Sequence, residues 1–204
     1  MVAVPRQSAP PVLDGESRFV LDGVPWSAYV ALRDALDDQG GVRMTYLEGS
    51  LELMSPSRLH EEVKKIIGLL VQVWAIERDV DLRGFGSTTF RREAKRGGLE
   101  PDECFTLGVL DDGGVPDIAI EVSITAELVD KMAVYARLGV PEVWEWRDGA
   151  GGLAVHRLVG ETYERRERSE VVPALDLAQL AGFVRPGESH TALAKHYQTA
   201  LRAR

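Results

Sequence analysis

The segment PDIAIEVS, residues 116–123, constrains the fold more than any other stretch of this chain. It is a compact, β-branched run between Pro116 and Ser123, short enough to be a strand and apolar enough to be a buried, central one. By the two-residue period of a strand, Ile118, Ile120 and Val122 share one face and Asp117, Ala119 and Glu121 the other. A carboxylate such as Glu121 inside an apolar run is costly to bury without a partner, so this strand carries a chemical question as well as a structural one.

The flanking chain defines the unit. From Ala126 to Leu138 the apolar residues Leu128, Met132, Val134, Tyr135 and Leu138 recur at helical intervals, and Gly139 supplies a stop before Pro141. PEVWEW then reads as the next strand, giving a strand, helix, strand unit with two parallel strands side by side. Upstream, Trp26 to Leu36 predicts an amphipathic helix, and VRMTYLEG with SLELMSP predicts a hairpin about a Glu-Gly turn. Ser57 as N-cap and the apolar spacing of Leu59 to Ile76 predict a long helix. VDLRGFG, TTFRR and ECFTLG are expected to extend the hairpin's sheet. LAVHRLV and ETYERRER read as a second hairpin, followed by a C-terminal amphipathic helix around Thr191 to Leu201.

With 204 residues and 45% hydrophobic composition, one core suffices. The expected organisation is a Pro-rich tail over 1–17, to which no chemistry is assigned, and a single domain over 18–204. No apolar run approaches the ~20 residues of a membrane span, and the lone cysteine, Cys104, fits a reducing compartment, so a soluble cytoplasmic protein without a membrane partner is expected. The net charge of −8 runs against the basic footprint of a sequence-independent DNA binder. The cations are nevertheless clustered: Arg83, Arg91, Arg92, Lys95 and Arg96 lie in one stretch, with Lys64 and Lys65 on the preceding helix, a run that reads equally as a solvated loop.

Among the acids, Asp102 behind Pro101 and the embedded Glu121 stand out. Lys131, ten residues beyond Glu121 on the next helix, could point back to the end of the strand. Two hard carboxylates and a lysine suit phosphodiester hydrolysis, in which a divalent metal activates water and a cation stabilises phosphoryl oxygens. A structural salt bridge between Glu121 and Lys131 accounts for the same residues. Asp117 reads as well as a cap at the start of its strand, and Glu61 as a favourable charge near a helix N-terminus. His156, His190 and His196 lack paired ligands at metal spacing, Trp144 and Trp146 read as packing on the sheet, and Cys104 as a small buried hydrophobe. No phosphate-cradling Gly-rich loop and no Gly-x-Ser-x-Gly elbow is present.

YLEGSLELMSPSRLH, EPDECF, PDIAIEVSIT and DKMAVYARLGVPEVWEW, in that order over about Arg18 to Arg168, resemble the Uma-type endonuclease family, formerly a domain of unknown function, within the PD-(D/E)XK nuclease superfamily. The resemblance implies an α/β, restriction-endonuclease-like fold: a mixed central β-sheet flanked by helices, with an additional N-terminal helix and β-hairpin. It implies Asp102 and Glu121 as metal ligands and Lys131 as a catalytic lysine moved from the strand to the helix, since Ser123 occupies the superfamily's usual lysine position. His60 and Glu48 match typically polar family positions and are expected as auxiliaries. The implied activity is Mg²⁺-dependent hydrolysis of nucleic acid, DNA foremost, with Mn²⁺ as a substitute. The alternative is a catalytically inactive binding or regulatory module acting as a homodimer.

Overall fold

The computed structural model describes residues 15–36, 41–86, 88–93, 96–111, 113–125, 129–147, 149 and 152–203. Its elements alternate between two sheets. Strand β1 (Ser17–Leu21) leads to helix α1 (Trp26–Leu36), the hairpin β2 (Arg43–Leu47) and β3 (Ser50–Ser55), and helix α2 (Arg58–Glu77). Short strands β4 (Leu82–Gly84), β5 (Phe90–Arg92) and β6 (Gly97–Leu99) precede β7 (Glu103–Leu107), β8 (Ile118–Ser123), helix α3 (Lys131–Leu138) and β9 (Glu142–Arg147). The chain closes with β10 (Leu153–Val159), β11 (Thr162–Arg166), α4 (Leu177–Ala181) and α5 (His190–Arg202).

The six-stranded sheet runs β11-β10-β9-β8-β7-β4, and its β8–β9 pair is parallel while the others are antiparallel. All six residues of β8 are buried because both faces are covered. Ile118, Ile120 and Val122 pack with Ile66, Leu70 and Trp74 of α2 and with Leu193 and Tyr197 of α5. On the other face, Ala119 packs with Cys104, Val143 and α3's Val134, Tyr135 and Leu138. The alternation read from PDIAIEVS is therefore the division between two layers of core. Trp144 and Trp146 belong to the α2 side of that core, and Cys104 to the α3 side, as their packing readings required.

Three expectations are corrected. The short strands do not all extend the hairpin's sheet: β6 and β5 join it in a five-stranded antiparallel sheet, β1-β3-β2-β6-β5, whereas β4 and β7 pair in the other. The hairpin is thus the centre of a second sheet, with Tyr46 stacked on Tyr29 of α1 beneath it. The helix expected over 126–138 starts at Lys131, because the extended backbone of Asp130 lets its side chain accept from the amide of Ala133 as N-cap; residues 126–128 lie outside the described residues. Helix α4, capped by Asp176, had no counterpart in the sequence reading. Of the segment read as a tail, residues 1–14 lie outside the described residues, while Ser17 opens β1. No helix among the described residues is long and apolar enough to cross a membrane.

Candidate active site

The two conspicuous carboxylates meet because of strand register. In the antiparallel β7–β8 pair, Glu103 stands opposite Ile120, so Asp102 and Glu121 occupy the next position across the ladder. Directly opposed residues have Cβ atoms roughly 5 Å apart on one face. Both are almost fully buried, Asp102 at 1% exposure and Glu121 at 2%.

Each is satisfied by a different element. Asp102 Oδ2 accepts the backbone N–H of Val122 at 2.8 Å, and Oδ1 lies 2.8 Å from Nε2 of His60 at the start of α2. Ser57 places that histidine: as N-cap it accepts the amide of His60 at 3.1 Å, which turns the first residues of α2 inward. Glu121 Oε2 accepts Nζ of Lys131 at 2.5 Å, and its Oε1 accepts the hydroxyl of Tyr135. Lys131 and Tyr135 are four residues apart on α3 and present one face to the strand. Lys131 therefore does reach the carboxylate, through the N-terminal turn of the crossover helix.

Burial disfavours the charged form of both Asp102 and His60, but mutual hydrogen bonding outweighs it. The hydrogen bond from His60, the charges of Lys131 and His60, and the Val122 N–H hold Asp102 below the usual carboxylate range. The hydrogen bonds to Asp102 and Glu16 and their charges raise His60 to about 9. Tyr135 is pushed well above its ordinary value by burial and by the adjacent charge of Glu121.

Four of the five residues singled out are thus assembled: Asp102, Glu121, Lys131 and His60. Glu48 is not among them. It sits at the tip of the β2–β3 hairpin with φ of 50°, ahead of Gly49 at 104°, and its exposed carboxylate pairs with Arg137 on the outside of α3 at 2.9 Å. A two-residue turn with both φ values positive fixes that placement. Asp117 accepts the amide of Leu107 and so anchors the start of β8, and Glu61 pairs with Lys64 and Arg43. In the basic cluster, Arg83 and Arg91 pair with Asp81 and Asp34, while Lys95 lies outside the described residues.

Tyr135 and Glu16 were missed. The first carries a legible signal, its i+4 spacing from Lys131. The second lay in the presumed tail, yet its Oε1 is 2.6 Å from Nδ1 of His60.

The donor set is compatible with a hard divalent cation. Each of the four oxygens of Asp102 and Glu121 accepts a protein donor, but a carboxylate oxygen has a second lone pair to offer. Among the described residues no group of three or more His, Cys, Asp and Glu side chains is arranged to hold a metal. Two carboxylates alone would suit a cation that keeps several of its waters rather than one held in a closed protein cage.

The parallel β8–α3–β9 unit thus carries a glutamate opposed to an aspartate across the β7–β8 ladder, with a lysine reaching that glutamate from the helix. Residues 26–186 match the family Uma2, described as "Putative restriction endonuclease", and the chain belongs to that family. A crystal structure described as a "putative nuclease belonging to DUF820" from Anabaena variabilis ATCC 29413 matches at 13% identity with a TM-score of 0.45, covering 76% of this chain and 90% of that one. Among curated proteins nothing matches.

Proposed function

We propose that this protein is a metal-dependent nuclease that hydrolyses phosphodiester bonds of nucleic acid, DNA foremost. The observation that carries the reading is the convergence of Asp102 and Glu121 across the β7–β8 ladder, with Lys131 seated on Glu121. Family membership supports it.

Asp102 and Glu121 are the residues that would hold the cation, with Mg²⁺ the expected ion and Mn²⁺ a substitute. Once bound, it supplies Lewis acidity toward water and phosphoryl oxygen. Lys131 brings a fixed positive charge and N–H donors, suited to orienting a water or stabilising charge on the phosphoryl group. Tyr135 steadies Glu121 from the other oxygen, and His60 holds Asp102 in one orientation. A homodimer would allow two such sites to cut both strands of a duplex. A non-catalytic binding module is the second reading, favoured by the near-complete burial of the cluster and by the net charge of −8.

The test is cleavage of supercoiled plasmid and single-stranded DNA with Mg²⁺ or Mn²⁺, beside EDTA controls and the variants Asp102→Ala, Glu121→Ala and Lys131→Ala. Metal-dependent cutting lost in all three is the expected result. Equal inertness of folded wild type and variants would leave the binding module as the better account.

A further inference from the structure

A chain of buried charges runs from the catalytic cluster into the N-terminal strand. His60 Nδ1 meets Glu16 Oε1 at 2.6 Å, Glu16 Oε2 meets Arg18 Nη2 at 3.2 Å, and Arg18 Nη1 donates to Glu52 Oε1 at 2.7 Å. Glu52 Oε2 then accepts the backbone N–H of Val129 at 3.3 Å, two residues before Lys131. Thr125, just beyond β8, joins from the side: its amide donates to Glu16 at 3.2 Å, and its hydroxyl accepts from Arg18 Nε at 3.1 Å. The side chains of Glu16, Arg18 and Glu52 are 0%, 6% and 1% exposed.

The sequence places them together by strand geometry. Val20 stands opposite Glu52 in the β1–β3 pair, so Arg18, two residues earlier on the same face, is a diagonal neighbour of Glu52. Phe19 and Leu21 take the outer face of β1 and are exposed. Stability alone is a poor reason for such a chain, because well-packed apolar residues in place of buried ion pairs are often as stable or more so. Its two ends supply the reason: one bears on Asp102 through His60, and the other on the backbone that leads into Lys131.

We propose that Glu16, Arg18 and Glu52 are positioning residues of the active site, a buried carboxylate–guanidinium–carboxylate clamp that fixes His60 against Asp102 and the start of α3 beneath Lys131. This rests on the reading of Asp102 as a metal ligand and Lys131 as the catalytic cation. The N-terminal strand is then part of the active centre, although it supplies neither the proposed metal ligands nor the proposed catalytic cation.

The experiment compares full-length wild type with Glu16→Ala, Glu16→Asp, Arg18→Ala and Glu52→Ala, all checked for folding by circular dichroism. The first readout needs no metal. Ionised carboxylates only accept, so a His60 ring held between two of them donates from both nitrogens. Two slowly exchanging His60 ring N–H resonances are expected in wild-type protein, with the Nε2–H signal facing Asp102 broadened in Glu16→Ala and kept in Glu16→Asp. Glu52→Ala is expected to speed exchange of the Val129 amide by at least about tenfold. An unchanged Nε2–H signal in Glu16→Ala together with unchanged Val129 exchange in Glu52→Ala overturns the clamp.

The second readout is Mn²⁺ affinity by titration calorimetry, expected to fall about 10–100-fold in Glu16→Ala and Arg18→Ala and less in Glu16→Asp. Equal affinity in wild type and Glu16→Ala also overturns the proposal. Absence of Mn²⁺ binding by the wild type would instead overturn the metal reading, with the resonance and exchange measurements still deciding the clamp. Should Glu16→Ala fail to fold, Glu16→Gln, which keeps the size of the side chain and removes its charge, takes its place and decides by the same signals.

Discussion

Asp102 and Glu121 face each other across the β7–β8 ladder, and different helices reach them there: His60 of α2 meets the first, and Lys131 with Tyr135 of α3 meets the second. The site is therefore a junction at which helices from the two sides of the sheet reach the same ladder position. That arrangement makes several outcomes measurable.

Breaking the buried pair from one side should be expensive. Lys131→Met removes the cation seated on the buried Glu121 carboxylate, which should lower stability by about 3–5 kcal/mol in urea unfolding. The double variant Glu121→Gln/Lys131→Met removes both charges and should recover much of the loss. Additive losses in the double variant would show that the charge pair is not the cause.

Glu142 binds the segment after β11 to the sheet. Its buried carboxylate accepts from Trp144 Nε1 at 3.0 Å, Ser169 Oγ at 2.7 Å, and the amides of Glu170 and Val171 at 2.6 and 3.1 Å. Glu142→Ala strands donors that each cost about 1–3 kcal/mol when buried and unmet. Trypsin should then cut after Arg165, Arg166 or Arg168 more than about tenfold faster than in wild type. Unaltered cleavage kinetics would mean that other contacts hold the segment.

Gly98 is a place where only hydrogen fits. An added Cβ would lie 2.5 Å from the Tyr29 hydroxyl oxygen, which belongs to the ring stacked 4.8 Å from Tyr46. Gly98→Ala is expected to lose about 1–3 kcal/mol and to change the near-ultraviolet circular dichroism. Adding Tyr29→Phe, which deletes the offending oxygen, should return part of the stability; no recovery would point to the backbone instead.

The docking of α5 should respond to acid. Arg202 and Gln198 hydrogen-bond to Glu77 at the end of α2 and hold its carboxyl down to about 2 from an ordinary value of 4.5. A depressed carboxyl contributes stability that is present above pH 4.5 and drains away as pH falls toward 2. Melting curves of wild type and Glu77→Gln should differ at pH 6 and converge through that window. A constant gap across it would remove Glu77 as the source.

Local patterns made much of this legible. Helices α1 and α2, the β2–β3 hairpin and the buried strand β8 follow from periodicity and caps, because each is decided by residues close in sequence. The trio of Asp102, Glu121 and Lys131 was legible because a carboxylate in an apolar strand demands a partner. What escaped is non-local. Glu16 reaches His60 across 44 positions, and Arg18 reaches Thr125 across 107, so a Pro-rich neighbourhood offered no hint of either contact. Strand β6 is built on Gly97 and Gly98, poor strand formers whose pairing with β2 and β5 is imposed by the sheet. The start of α3 was misread because apolar spacing does not mark a boundary, whereas Asp130, three residues before Ala133, does.

Lys131 opens a helix whose remaining buried residues, Val134, Tyr135 and Leu138, form part of the layer with Ala119, Cys104 and Val143. A lysine on the strand would have its place dictated by backbone pairing alone. Here the cation rides on how one short cylinder is bedded, so the oily residues far from any charge become its tuning screws. Engineering that layer, for instance by changing the bulk at Leu138 or Val143, is a way to shift the lysine relative to the carboxylates without altering a single polar group.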